Sequence, residues 1–171
     1  MERLQFLALE RPHGLVEITA IFGDIFKYIS PVQDSSLRIR PSFENDFIVP
    51  LPLHFPLRLA GSNNRYADNI RCHTLLRGHF DAIFREIESD GLAGKIHSLG
   101  GCYQFRFKRT RPELSTHAWG IAIDLNPETN VPGTDGDIDP AVVCIFAKYG
   151  FIWGGDWKRK DPMHFQFCTG Y

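Results

Sequence analysis

Apolar positions recur along this chain in two rhythms. Over residues 66–89, Ile70, Leu75, Leu76, Phe80, Ile83, Phe84 and Ile87 mostly keep three-and-four spacing, which predicts one long amphipathic helix. The glycines of "DGLAG" just beyond it suit a C-cap. A second helix is expected in "DIDPAVVCIFAKYG", opening on an Asp cap with Pro in its first turn and closing at Gly150. Elsewhere the rhythm is two, and short strands are expected around 102–107, 121–126 and 163–168. "PSFENDFIVPLPLHFPLRL" mixes four prolines with alternating apolar residues and reads as extended segments lying on the core. "GLVEITAIFGDIFKYI" reads as a strand or a short helix around Gly23. Helices gathered on a small antiparallel sheet place the chain in the α+β class.

Composition narrows this to an ordinary folded domain. The chain has 171 residues, 43% hydrophobic and 23% charged, with fourteen Phe and three Trp to fill a core. We expect the main folded domain over 44–171, with 1–43 a segment of uncertain role packed on its core. A formal charge of −1 gives no overall field that would suggest nucleic acid or an anionic membrane as partner. No apolar run approaches the ~18 residues of a membrane span. The opening "MERLQFLALERPHG" has an apolar stretch only over 4–9, flanked by charges and too brief for the core of a secretory signal. Synthesis in the cytoplasm without an export signal is therefore expected. Cys72, Cys102, Cys144 and Cys168 form no C-x-x-C pair, and the favoured reading is small buried thiols, with one disulfide left open. His73 and His79, six residues apart, are expected to be solvated or packed rather than ligands.

Candidate chemistry sits in "STHAWGIAIDLN", residues 115–126. In a strand here, Ile121, Ile123 and Leu125 face the core, and Ala122 and Asp124 face the other way. The last strand repeats the design, with Met163, Phe165 and Phe167 on one side and His164 and Gln166 on the other. Side by side, the strands would bring Asp124 and His164 onto one surface, within reach of His117 in the preceding turn. Two imidazoles and one carboxylate are the usual ligand count for catalytic zinc, which keeps a position open for water. Spacing alone leaves the third ligand open, because Asp156 and Asp161 also lie near His164. A hydrolase built on zinc also needs a general base, for which Asp161 is the candidate. It needs a cation for the developing oxyanion as well, which "YQFRFKRTR" offers in Arg106, Lys108, Arg109 or Arg111.

Jointly, S-x-H-x-x-G-x-A-x-D and a D-x-x-H some forty residues later resemble the zinc D-Ala-D-Ala carboxypeptidases and L-alanyl-D-glutamate endopeptidases. That family includes VanY-like enzymes and phage endolysins and shares its fold with the Hedgehog signalling domain. The residues carrying the resemblance are "LSTHAWGIAIDLNPETN" at 114–130 and "GFIWGGDWKRKDPMHFQF" at 150–167, with "GCYQFR" at 101–106 a looser match. The resemblance implies one zinc ion held by His117, Asp124 and His164, with Asp161 as catalytic base. It further implies Arg106 on the tetrahedral intermediate and Ser115 in contact with substrate. Trp153, Gly154, Gly155 and Trp157 match a stretch beside the site, Trp153 being a candidate substrate contact. The family's His-Phe-Glu is here His164-Phe165-Gln166, and Gln166 is expected to keep a role in orienting a ligand.

The implied substrate is a peptidoglycan stem peptide, cut either between L-Ala and D-Glu or at a terminal D-Ala. The competing reading is a non-catalytic zinc-containing module that binds cell wall or builds a phage or tail-like particle. Because peptidoglycan lies beyond the cytoplasmic membrane, release by a phage, or another route of export, is expected.

Overall fold

The computed structural model describes residues 9–31, 37–108 and 112–171. Arg109 and Arg111, two of the candidate cations, lie outside the described residues. The fold is α+β, and the described residues form a two-stranded antiparallel sheet, a larger six-stranded sheet and four α-helices.

The first helix, α1 (Gly14–Phe22), resolves the strand-or-helix alternative at the N-terminus in favour of helix; Gly23 ends it. Strands β1 (Ile29–Pro31) and β2 (Leu37–Ile39) pair antiparallel. Helix α2 (Pro41–Phe47) begins with Pro at its first turn and runs directly into β3 (Ile48–Leu59), so the expected extended segment begins at Ile48 rather than at Pro41. The boundary drawn between residues 43 and 44 falls inside α2.

The long helix expected over 66–89 is two elements. β4 (Tyr66–His73) pairs antiparallel with β3, and only then does α3 (Arg77–Ser89) begin, after a short 3-10 turn. Ile70 and Cys72 are buried opposite Leu51 and Val49 of β3, a period-two placement that a twelve-residue partner strand stabilises. Pro50, Pro52 and Pro56 are exposed on β3. β5 (Ser98–Gly101) joins β3 in parallel at Arg58 and Leu59 alone, which leaves the Pro-bearing stretch an edge where a missing N–H breaks no ladder bond.

β6 (Ala122–Leu125) continues the sheet, followed by α4 (Pro140–Lys148), β7 (Ile152–Trp153) and β8 (His164–Gln166). Asp139 caps α4 as expected, its carboxylate accepting from the Ala141 N–H at 2.9 Å. The sheet order is β4-β3-β5-β6-β8-β7, all antiparallel except β3–β5, so the sheet is mixed. No strand forms over 102–107; Phe107 makes only a bridge to Leu114.

One core holds these parts together. On one face of the sheet, Phe165 stacks on Phe146 of α4 at 4.2 Å, and Phe151 lies 4.9 Å from Phe80 of α3 and 5.4 Å from Phe167. Ile121, Ile123 and Leu125 are fully buried in that core. His73 and His79 are buried too, packed rather than solvated. All four cysteines are free; Cys72, Cys102 and Cys168 are buried, whereas Cys144 is exposed on α4. Among the described residues, no helix is long and apolar enough to cross a membrane.

Candidate functional site

The opposite face of β6 and β8 carries the polar residues. The pairing register sets Asp124 directly across from His164 and Ala122 across from Gln166. His117 arrives from a 3-10 turn, Thr116–Trp119, whose start is capped by Ser115: its hydroxyl accepts from the His117 N–H at 3.4 Å. The turn ends at Gly120 in the left-handed region (φ +67°), where a Cβ would lie 2.8 Å from the His73 nitrogen of β4. Close approach is needed there because the Gly120 carbonyl accepts from the His73 N–H at 3.0 Å. At Gly100 on β5 a Cβ would lie 2.9 Å from the Asp124 Cβ, so glycine makes room for the carboxylate.

Three atoms converge. His117 Nε2 lies 3.1 Å from Asp124 Oδ1 and 3.2 Å from His164 Nδ1, and the last two are 2.9 Å apart. Tetrahedral zinc with bonds of about 2.0–2.1 Å separates its ligands by about 3.3 Å, so the triangle fits such an ion closely. The outer ring nitrogens decide what the inner ones offer. His117 Nδ1–H donates to the Cys102 carbonyl at 2.6 Å, and His164 Nε2–H donates to Gln166 Oε1 at 3.0 Å. With those protons committed outward, the neutral rings turn lone pairs toward each other and toward a carboxylate. Three such acceptors within 3.2 Å of one another demand a positive charge between them, supplied either by a metal ion or by a proton on one of the imidazoles. Burial works to raise the Asp124 carboxyl, but the charges and hydrogen bonds of His117 and His164 outweigh it and hold the group far below the usual carboxylate range. Burial likewise opposes protonation of His164, yet the Asp124 bond and charge leave its pKa raised. His117, Asp124 and His164 form the one group of His, Cys, Asp and Glu side chains among the described residues that could hold a metal ion.

Gln166 occupies the orienting position expected of it. Its amide nitrogen donates to the Cys168 carbonyl at 3.2 Å, which fixes its oxygen toward His164 and toward the Thr116 hydroxyl at 3.2 Å. Thr116, buried beneath the site, was not singled out from sequence; its only signal is its place between Ser115 and His117.

A cleft of about 700 Å³ opens over these atoms, with Asp124, His164, Asp161, Arg106 and Ser115 all in its lining. Arg106 sits with a guanidinium nitrogen 3.9 Å from Asp124 Oδ2. Its backbone is held by the Ser115 N–H, which donates to the Arg106 carbonyl at 2.9 Å. Asp161 is set by its N–H donating to the Gly154 carbonyl at 2.9 Å and its carbonyl accepting from His164 N–H at 3.0 Å. Trp157 lines the cleft, its ring 5.5 Å from that of His164. Trp153 is not in the lining; its indole donates to the Pro162 carbonyl at 2.7 Å and braces the segment between Asp161 and His164. Asp156, an alternative third ligand by spacing, is exposed and not in the triad.

Residues 108–167 match the family model of the D-alanyl-D-alanine carboxypeptidases. The match bears out, over that segment, the resemblance read from the motifs. It takes in Ser115, His117, Asp124, Asp161 and His164, whereas Arg106 lies two residues before it.

Proposed function

We propose that the protein is a zinc-dependent peptidase that hydrolyses an amide bond in peptidoglycan stem peptides. The observation carrying this reading is the acceptor triangle of His117, Asp124 and His164, opening into a cleft that also holds a carboxylate and a guanidinium. The carboxypeptidase family match supports the reaction class.

In this reading His117, His164 and Asp124 would hold the ion, and Cys102 and Gln166 fix the two rings from behind. Zinc bound there would supply a Lewis acid for the carbonyl and a water acidic near neutral pH. Asp161 takes the proton of the attacking water and delivers it to the leaving amine. Arg106, beside Asp124, would face the oxygen on which negative charge develops and stabilise it. Ser115 keeps the turn that presents His117 and borders the peptide. Gln166 keeps the acceptor that His164 requires, so the change from Glu does not by itself favour a non-catalytic module. The site of action would be the cell wall, reached through release by a phage or another export route.

Mass spectrometry of stem peptides digested with the zinc-loaded protein tests this directly. New termini at L-Ala–D-Glu or loss of terminal D-Ala are expected, and both should vanish with chelator. Asp161→Ala should lower kcat by at least about 100-fold with zinc retained; full activity in that variant would refute the assignment of the base.

A further inference from the structure

The stretch from Asp161 to His164 is a β-turn. The His164 N–H donates back to the Asp161 carbonyl at 3.0 Å, and Pro162 takes the position after Asp161, which its fixed φ suits. Four successive carbonyls, those of residues 160–163, are engaged here. That of Lys160 accepts from Gly133 N–H at 2.7 Å, and that of Asp161 from His164. That of Met163 accepts from Leu125 N–H at 2.9 Å, and that of Pro162 from the Trp153 indole at 2.7 Å. Three of these donors are backbone groups, and the Pro162 tie alone comes from a side chain.

The residues around Trp153 are shaped to make that tie. Trp153 ends β7 opposite Phe165 of β8, so the sheet sets its place. Gly155 is not in the left-handed region, yet a Cβ there would run into the Trp153 ring. At Gly154 a Cβ would meet the Asp161 carbonyl, and the Gly154 carbonyl accepts from the N–H of both Trp157 and Asp161, at 3.2 and 2.9 Å. Trp-Gly-Gly thus lets an indole and a loop close onto the turn that bears Asp161. His164 has other supports, since β8 is registered on β6 and the imidazole is held by Gln166. Asp161 stands outside the strands and is placed by the turn.

We propose that Trp153 is a positioning residue for Asp161: its indole N–H, by pinning the Pro162 carbonyl, fixes the turn so that the Asp161 carboxylate is presented to the cleft over the triad. This rests on the peptidase reading above, in which Asp161 is the base. Proton transfer needs the base within hydrogen-bond reach, and a displacement of about 1 Å can cost about 100-fold in rate. Losing the donor therefore slows the chemical step and leaves the binding of peptide and metal in place, whereas a substrate contact would show in KM. The Pro162 carbonyl left bare in a buried residue also costs stability, so the loss of rate is to be read apart from unfolding.

The test compares the zinc-loaded full chain with Trp153→Phe, which keeps an aromatic ring without the donor, and with Gly155→Ala, which displaces the indole. In both, kcat on stem peptides should fall about tenfold or more, with KM and zinc affinity within about threefold of the parent. On top of Asp161→Ala, Trp153→Phe should lower kcat by less than about twofold, because a residue acting through the base has nothing left to position. Hydrogen exchange gives a readout apart from activity: the Asp161 amide should exchange about tenfold faster in Trp153→Phe, while those of α3 keep their rates. Full kcat in Trp153→Phe, a rise in KM alone, a matching loss of zinc affinity, or an undiminished loss on top of Asp161→Ala each overturns the proposal. So does an Asp161 amide that exchanges at the parent rate. Should the variants lack a cooperative melt, the parent decides: its Trp153 indole N–H should be protected, and exchange as fast as in free tryptophan overturns the tie. If the parent cuts no peptide, the peptidase reading fails and the assignment to the base with it, whereas faster Asp161 exchange in Trp153→Phe would still show the tie.

Discussion

At Gln166 the side-chain amide is fixed at both ends, its nitrogen on the Cys168 carbonyl and its oxygen on His164 and Thr116. What His164 needs from behind is an acceptor, and an amide oxygen provides one without a charge. Gln166→Leu should therefore weaken zinc binding by about 10–100-fold, while Gln166→Glu should bind at least as tightly as the parent. A competition titration against a chromophoric chelator checks both; equal affinity in the Leu variant would mean that His164 is oriented by something else. Gly100→Ala makes a second case, because its new methyl would meet the Asp124 Cβ at 2.9 Å. Zinc affinity should fall with little loss of melting temperature, since the residue lies at the site and away from the aromatic core. The triad itself was legible in the sequence because alternation along two short strands leaves no freedom: once Ile123 and Phe165 are inside, Asp124 and His164 point out together. Gly100 and Thr116 were not legible, because their roles arise from distances between segments and leave no mark on spacing.

Among the elements, the single helix expected over 66–89 in place of β4 and α3 has a physical cause. Ile70 and Cys72 are two apart and Leu75 and Leu76 are adjacent, so a helical count over 66–76 is satisfied only loosely. The partner that makes this stretch a strand, β3, lies upstream and carries prolines that argue against a long strand when read alone. The capped helix α4 was legible because its signals are local. His73, at the junction, ties three elements: Nε2–H donates to the Phe22 carbonyl at the end of α1, and Nδ1 accepts from the Leu75 N–H. Burial lowers its pKa from 6.5 to about 4. Between those values the unfolded chain takes up a proton that the folded chain refuses, so stability falls as pH drops through that window and levels off below about 4. The full loss from this group is about 3 kcal/mol. In urea unfolding followed from neutral pH down to about pH 4, His73→Gln should be less stable at neutral pH but lose about that much less on acidification. Parallel pH profiles for the two proteins would show that His73 is not the titrating strut. Gly120→Ala strikes the same junction, and the left-handed backbone together with the close His73 nitrogen should cost more than about 2 kcal/mol in the same assay.

For the molecule as a whole, the decisive question is whether residues 1–43 are an appendage. Ile18, Phe22, Ile25 and Phe43 are completely buried, in the same core as Phe80, Trp119 and Phe165. The Trp119 indole, two residues after His117, donates to the Gly23 carbonyl at 3.0 Å, so the turn that presents a proposed ligand leans on the N-terminal segment. The described C-terminal end is tied in as well: the Gly14 N–H donates to the Thr169 carbonyl at 2.8 Å and the Thr169 N–H to that of Pro12 at 2.9 Å. At about 1.5–3 kcal/mol for each large apolar side chain, the four buried residues contribute about 6–12 kcal/mol, an upper estimate. That equals the whole net stability of a typical domain, about 5–15 kcal/mol. A fragment of residues 44–171, although it contains every proposed catalytic side chain, should therefore show no cooperative thermal transition and no tight zinc site. The full chain should unfold in one step, at a higher temperature with zinc present than with chelator, because the ion binds only the folded triangle. Calorimetry of both proteins decides it: a fragment that melts cooperatively within a few degrees of the full chain would make the N-terminal segment an accessory rather than part of the fold that assembles the site.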